Sequence, residues 1–174
     1  SIGEFKVIAN GAPAEFGSRE MGEPYLEHPQ AGVGRVMSYN VKELTGNVKD
    51  QNAYLLLRLE KAAGNVLHTR LVGYELTPVF VRRIVRKVTD RIDGYHRVTG
   101  KKGETIVMKT VLITLRQTQR SLRSKLRRQL QELFEQEAAK NDFNGFMQEI
   151  ISGSIRTAAL KKLSKIYPVR EVAI

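Results

Sequence analysis

The chain has 174 residues, 41% of them hydrophobic and 27% charged, a balance that suits a globular fold and excludes an intrinsically disordered chain. It has no cysteine, which excludes disulfides, thiolate metal sites and cysteine nucleophiles and fits a reducing compartment; no apolar run reaches the ~18 residues of a membrane span, since the most apolar stretch, 105–115, is interrupted by Lys109. The formal net charge is +11, an excess that favours association with nucleic acid or an anionic surface and says nothing about fold.

In chain order, Ser1-Ile2-Gly3-Glu4 lacks a charged start followed by an apolar block, so no signal peptide is expected, and the absent methionine fits a processed or trimmed start. Residues 5–9 read as a short strand stopped by Asn10-Gly11-Ala12-Pro13, and 17–23 as a weak edge strand before Pro24 and Pro29. A strand is expected over 33–41, then a capped single turn from Asn40-Val41-Lys42-Glu43 to Gly46. Residues 53–61 and 66–75 flank Ala62-Ala63-Gly64-Asn65 and read as a hairpin.

Thr77-Pro78 is an N-cap followed by proline at the first helical position, and predicts a helix to about Val88. At about 100° per residue, Phe80, Val81, Ile84, Val85 and Val88 share one face, and Arg82, Arg83, Arg86 and Lys87 the other. A second hairpin follows, 90–98 and 105–115 around Thr99-Gly100-Lys101-Lys102-Gly103. A long helix is expected over 118–139, with Leu122, Leu126, Leu130 and Leu133 as its buried stripe. The third helix runs from an Asn141/Asp142 cap to Ile151, with Phe143, Phe146, Met147 and Ile150 inward, and Gly153 closes it. Ser154 caps a fourth over 155–167, with Ile155, Ala159, Leu163 and Ile166 inward and Lys161, Lys162 and Lys165 outward; Pro168 ends it and 169–173 reads as a last strand. No repeat, low-complexity tract or linker divides the chain. The reading is one α+β domain over 1–174: β-rich over 1–115 with a helix inserted at about 77–88, helical over 118–167, and a short strand over 168–173.

The charge is not spread evenly. Residues 1–81 carry 8 basic and 9 acidic side chains, 82–131 carry 15 and 3, and 132–174 carry 6 of each, so the middle segment holds the whole excess. Arg116, Arg120, Arg123, Lys125, Arg127 and Arg128 cluster around the start of the long helix with no acid among them, although that end carries partial positive charge and disfavours cations. Only Arg128–Glu132 offers a partner four residues on. Phosphate groups would supply the missing negative charge, since helix N-termini and guanidinium forks both suit them; the bland alternative is a solvated basic face. Arg82, Arg83, Arg86, Lys87 and Arg91 support the same reading, and Lys101 and Lys102 at the hairpin tip are a plausible extra contact or a solvated turn. The lysines of the fourth helix read as solvent-exposed. Reversing Arg123 and Arg127 to glutamate is expected to abolish binding to such phosphates and leave the fold intact.

Catalytic and cofactor motifs fail on inspection. Gly32-Val33-Gly34 needs glycine at 37 for a dinucleotide fingerprint, where Met37 stands; Gly100-Lys101 lacks the earlier glycine of a phosphate loop, at Tyr95, and is followed by Lys102 instead of Ser or Thr. His28, His68 and His96 are too dispersed for a metal set, and Glu132, Glu135 and Glu137 read as solvated pairs on a helix, not an acid/base couple. No catalytic residue, cofactor, metal or small-molecule substrate is expected. With no tryptophan and 7% aromatics, recognition should rest on backbone and shape more than on base stacking.

Collinear segments then carry a resemblance. Gly34-Arg35-Val36 leads to Leu44-Thr45-Gly46, and His68-Thr69-Arg70-Leu71-Val72-Gly73-Tyr74-Glu75-Leu76-Thr77 leads into Val81-Arg82-Arg83-Ile84-Val85-Arg86-Lys87. Ala12-Pro13, Met21-Gly22-Glu23, Arg91-Ile92-Asp93, Ile113-Thr114-Leu115-Arg116 and Ile166-Tyr167-Pro168-Val169-Arg170-Glu171-Val172 fit the same order. Over nearly its whole length the chain resembles the archaeal and eukaryotic small-subunit ribosomal proteins of the S-one-e type (alias S-three-A-e). The resemblance implies a mostly antiparallel β-barrel-like core with flanking amphipathic helices. It implies a place on the platform of the small subunit near the messenger exit, in a cytoplasmic ribosome, touching ribosomal RNA and neighbouring platform proteins, with messenger RNA nearby and no membrane. The family's RNA-facing basic segments correspond to Arg82–Arg91 and Arg116–Arg128. The chain departs from the family pattern where a Lys-rich N-terminal extension with an aromatic pair is reduced to Glu4-Phe5, where the acidic pair before Pro29 is Glu27-His28, and where no basic tail follows Glu171-Val172. The competing readings are an enzyme acting on RNA and a free nucleic-acid-binding regulator.

Overall fold

The computed structural model describes residues 3–4, 6–9, 25–26, 29–63 and 66–174. The chain forms two compact units, Ser1–Thr77 and Pro78–Ile174. The edge strand expected over 17–23, the stop at 10–13 and the tip Gly64-Asn65 lie outside the described residues.

In the first unit, strand β1 (Gly3–Glu4) pairs antiparallel with β3 (Tyr25–Leu26), a pairing that sequence reasoning did not find. Strand β2 (Lys6–Ala9) runs parallel to β6 (Val66–Leu76) in a four-stranded sheet ordered β2-β6-β5-β4, with β4 spanning Val36–Asn40 and β5 Ala53–Ala63. The expected hairpin is β5–β6, longer than expected at both strands. Alternation buries Leu55, Leu57 and Leu59 on β5 and Leu67, Thr69 and Leu71 on β6, and the register sets Leu57 opposite Leu71 and Leu59 opposite Thr69. Helix α1 (Val41–Thr45) follows β4 as predicted. Asn40 accepts a hydrogen bond from the Lys42 amide at 2.9 Å, and Gly46, at φ +70°, donates to the Lys42 carbonyl at 2.8 Å.

The second unit opens with α2 (Pro78–Ile84), which is shorter than the sequence predicts and buries none of its residues. Its β-branched content lowers helix propensity, and its apolar face, Phe80, Val81 and Ile84, is only half-buried. Val88, assigned to its inner face, is instead 71% exposed at φ +72°, in a turn that Thr89 closes with its amide (3.3 Å) and its hydroxyl (2.6 Å), both donating to the Arg86 carbonyl.

Strands β7 (Arg91–Thr99), β8 (Thr105–Thr114) and β9 (Val169–Ala173) form an antiparallel sheet in that order. Ile92, His96 and Val98 on β7 and Ile106, Met108, Thr110 and Leu112 on β8 are buried; their odd-numbered neighbours from Arg91 to Lys109 are exposed. Helices α3 (Arg120–Lys140), α4 (Phe143–Ser152) and α5 (Ser154–Ser164) bury Leu126, Leu130, Leu133, Phe134 and Ala138; Phe146, Met147 and Ile150; and Ile155, Ala159 and Leu163. Each large side chain taken fully out of water contributes about 1.5–3 kcal/mol, which makes this the main source of the unit's cohesion. Leu122, Phe143 and Ile166, expected inward, are only half-buried.

The fold is α+β, and the expected barrel-like core is corrected: among the described residues the sheets are open and none closes on itself. The family likeness suggested closure, whereas the hydrogen-bonding partners of β4 and β2 end one sheet and those of β7 and β9 end another. No helix among the described residues is long and apolar enough to cross a membrane.

Candidate nucleic-acid interface

The second unit carries 21 basic and 9 acidic residues, so the whole cationic excess belongs to it. Of the thirteen basic residues singled out by sequence, twelve are exposed and Arg123 is half-buried.

Three of them are paired within the protein. Arg91 Nε lies 2.8 Å from Asp93 Oδ1 on the same strand, Lys102 Nζ is 2.7 Å from Asp142 Oδ2, and Arg123 Nη2 is 2.8 Å from Asp90 Oδ2. Among the described residues no ion pair engages Arg82, Arg83, Arg86, Lys87, Lys101, Arg116, Arg120, Lys125, Arg127 or Arg128. Arg83 sits over the Phe80 ring, 5.8 Å from its centroid, and Arg127 Nε donates to the Asp93 carbonyl at 2.9 Å. The expected Arg128–Glu132 pair does not form; Glu132 accepts from the Gln129 side-chain amide at 2.8 Å instead.

Asp90 changes the reading of the α3 N-terminus. Its Oδ2 accepts from the Thr118 amide at 2.6 Å, from the Thr118 hydroxyl at 2.9 Å and from Arg123. One carboxylate therefore stands at the helix end that the local sequence leaves without an acid, brought there by the strand order from 28 residues upstream. It serves Arg123 and the backbone and leaves Arg116, Arg120, Lys125, Arg127 and Arg128 without a carboxylate partner among the described residues. Arg123 is thus part of the joint between β7 and α3, and the expectation that reversing it leaves the fold intact is replaced: a glutamate there would face Asp90.

His96, one of the dispersed histidines, is a packing residue 3% exposed. Its Nδ1 lies 2.7 Å from Gln131 Oε1 and its Nε2 3.0 Å from Thr110 Oγ1, with its ring edge-on to Phe134. Among the described residues, no three carboxylates or imidazoles group as a metal set.

Both groups predict acid sensitivity. Burial pushes the His96 imidazole below the ordinary histidine value, aided by the Arg127 charge against an opposing hydrogen bond to Gln131. Asp90 is held below the usual carboxylate range chiefly by the Thr118 amide, then by the Thr118 hydroxyl and Arg123. A depressed histidine leaves the unfolded chain holding more protons, so stability falls as pH drops below about 6.5; the Asp90 contribution is complete above about 3.8 and is lost as pH falls through its lowered value. Thermal melts from about pH 7 to pH 5 should show a falling midpoint, and His96→Gln should flatten that fall. An equal slope in the variant would count against the assignment.

Two exposed cations escaped the sequence reading. Arg97 and Lys109 lie on the solvent side of β7–β8, Lys109 opposite Tyr95 and Arg97 opposite Val107. Strict alternation with buried Ile92, His96 and Val98 was the signal that could have found them.

The family model of the Ribosomal S3Ae family matches residues 6–174. The chain belongs to the ribosomal S3Ae family. It is 29% identical over 170 residues to small ribosomal subunit protein eS1 of Methanothrix thermoacetophila, covering 98% of this chain and 79% of that protein. The protein of the same name from Archaeoglobus fulgidus is 30% identical over 165 residues, 94% of this chain and 78% of its own length, and that from Methanoculleus marisnigri is 28% identical over 162 residues, 93% and 82%. This is a family of ribosomal structural proteins, not of enzymes. The family match takes in both units, and with them the whole cationic surface of the second.

Proposed function

We propose that the chain is a structural constituent of the small ribosomal subunit that binds ribosomal RNA through the cationic surface of its second unit. One observation carries this reading: twelve exposed basic residues between Arg82 and Arg128, Arg97 and Lys109 among them, have no ion-pair partner among the described residues, while Asp90 serves the α3 N-terminus and Asp93 pairs with Arg91. Unpaired guanidinium groups suit phosphate oxygens, to which they offer forked donors. In this reading the chain lies on the platform of the small subunit near the messenger exit, beside other platform proteins and with messenger RNA nearby, in cytoplasmic ribosomes, and the resemblance to the family supports it.

Binding of this kind releases counterions. If about 6–8 phosphates are contacted, log K should fall with log salt at a slope of about −5 to −7. Filter binding of small-subunit ribosomal RNA across a salt series measures the slope directly, and a flat dependence would sink the reading. Sedimentation of the protein with small subunits in a cell lysate separates it from a free regulator, which would stay at the top of the gradient.

A further inference from the structure

The three-stranded sheet has one face covered by its own unit and one turned to solvent. On the solvent face β7 contributes Arg91, Asp93, Tyr95, Arg97 and Thr99, and β8 contributes Thr105, Val107 and Lys109, all exposed. Direct cross-strand pairs set Tyr95 beside Lys109 and Arg97 beside Val107. Same-face neighbours along a strand are ~6.8 Å apart and paired strands ~4.8 Å apart, so these four side chains make one continuous patch.

Tyr95 is 60% exposed and Val107 47% exposed. The nearest acid of β7, Asp93, is bonded to Arg91. Arg97 and Lys109 form no ion pair among the described residues. An exposed aromatic ring flanked by two such cations is complementary to a flat π-face attached to an anionic backbone.

We propose that this face binds an unpaired RNA nucleotide, its base stacked on the Tyr95 ring against Val107 and its phosphates met by Arg97 and Lys109. A tyrosine ring stacks any base, so the contact tolerates sequence. An acidic protein partner would bury the same ring between the same cations, and loss of co-sedimentation at unchanged RNA affinity is the outcome that would assign the face to it. The proposal deepens the RNA-binding reading and rests on it. It also differs from it in kind: the α2 and α3 cations read the backbone of any RNA, whereas this face requires a base free of its duplex.

The test uses the full chain and two fluorescein-labelled probes, a mixed-sequence single strand of about 12 nucleotides and the same strand in duplex. Tyr95→Ser should weaken single-strand binding by about 5- to 100-fold, and Tyr95→Phe should keep it within about twofold. Duplex affinity should be unchanged in both, because the base faces are already covered. Circular dichroism should match the wild type, as the ring is not in the core. Wild-type affinity of Tyr95→Ser for the single strand overturns the proposal, and so does an equal loss on both probes. Loss of co-sedimentation with small subunits at unchanged RNA affinity also overturns it, and assigns the face to a protein. Failure of the wild type to bind either probe would instead sink the RNA-binding reading beneath it.

Discussion

Reversing Arg120, Lys125 and Arg128 to glutamate together is expected to weaken binding to small-subunit ribosomal RNA by at least about 100-fold while the protein melts no earlier than the wild type. Three phosphate contacts at about 1–1.5 kcal/mol each give about 3–4.5 kcal/mol, and every 1.4 kcal/mol is tenfold. The salt slope should shrink by about 2.7, the share of three phosphates. The fold is predicted to hold for an electrostatic reason. All three side chains are exposed and form no ion pair among the described residues; an acid at 120, in the first turn, interacts favourably with the helix dipole, and this offsets the few tenths of a kcal/mol that an acid at 128 costs beside Glu132 four residues on. Arg123→Glu is the contrasting case: it sets a carboxylate against Asp90, breaks a 2.8 Å ion pair and should lower the melting temperature by itself. Parallel filter binding and thermal melts read both quantities. Unchanged affinity and slope in the triple variant would mean that the α3 cations only face solvent.

Gly94→Ala should destabilise the protein by about 1–3 kcal/mol, a large effect for one methyl group. An added Cβ would lie 2.5 Å from His96 Nε2 and 2.6 Å from the Thr110 hydroxyl, closer than such atoms approach. The imidazole has little room to give way, because Gln131 holds Nδ1 at 2.7 Å and Phe134 meets the ring edge-on with centroids 5.3 Å apart. If the ring swings out, two hydrogen bonds of about 1 kcal/mol each are lost and buried polar atoms are left unmatched. Combining Gly94→Ala with His96→Ser should cost less than the two singly, since the second change removes the nearer of the two clashing groups and frees the Thr110 hydroxyl from the ring. Denaturant titration of the four proteins gives the coupling, and a Gly94→Ala midpoint equal to the wild type would refute the packing account.

These two sites differ in how far sequence alone could reach them. The basic segment was legible because charge is counted along the chain, and the α3 stripe because Leu126, Leu130 and Leu133 repeat at helical spacing. The α1 caps, β9 and most strand limits were legible for the same reason: Asn40, Gly46 and Pro168 act on their immediate neighbours. Gly94 gave no such signal. It reads as a weak point in a strand, and only the fold of the His96 ring back over it explains the residue.

The end of α2 shows the opposite failure. An amphipathic pattern ran on to Val88, but the helix stops at Ile84, because its propensity is low and its apolar side is nowhere fully buried. Barrel closure was likewise expected from likeness and not from residues, and strand partners across an open edge are set by long-range pairing that no local signal encodes.

What the sequence by itself determined was the distribution of charge, the order and type of most elements, and family membership, because each depends on residue identity and spacing along the chain. What only the tertiary structure decided was which cations are free. Asp90 and Asp142 reach Arg123 and Lys102 through strand and helix packing, across 33 and 40 residues, and alternation across β7–β8 gathers Tyr95, Arg97 and Lys109 on one face. Ion pairing acts through space over a few ångströms, so it is fixed only once distant segments have been brought together.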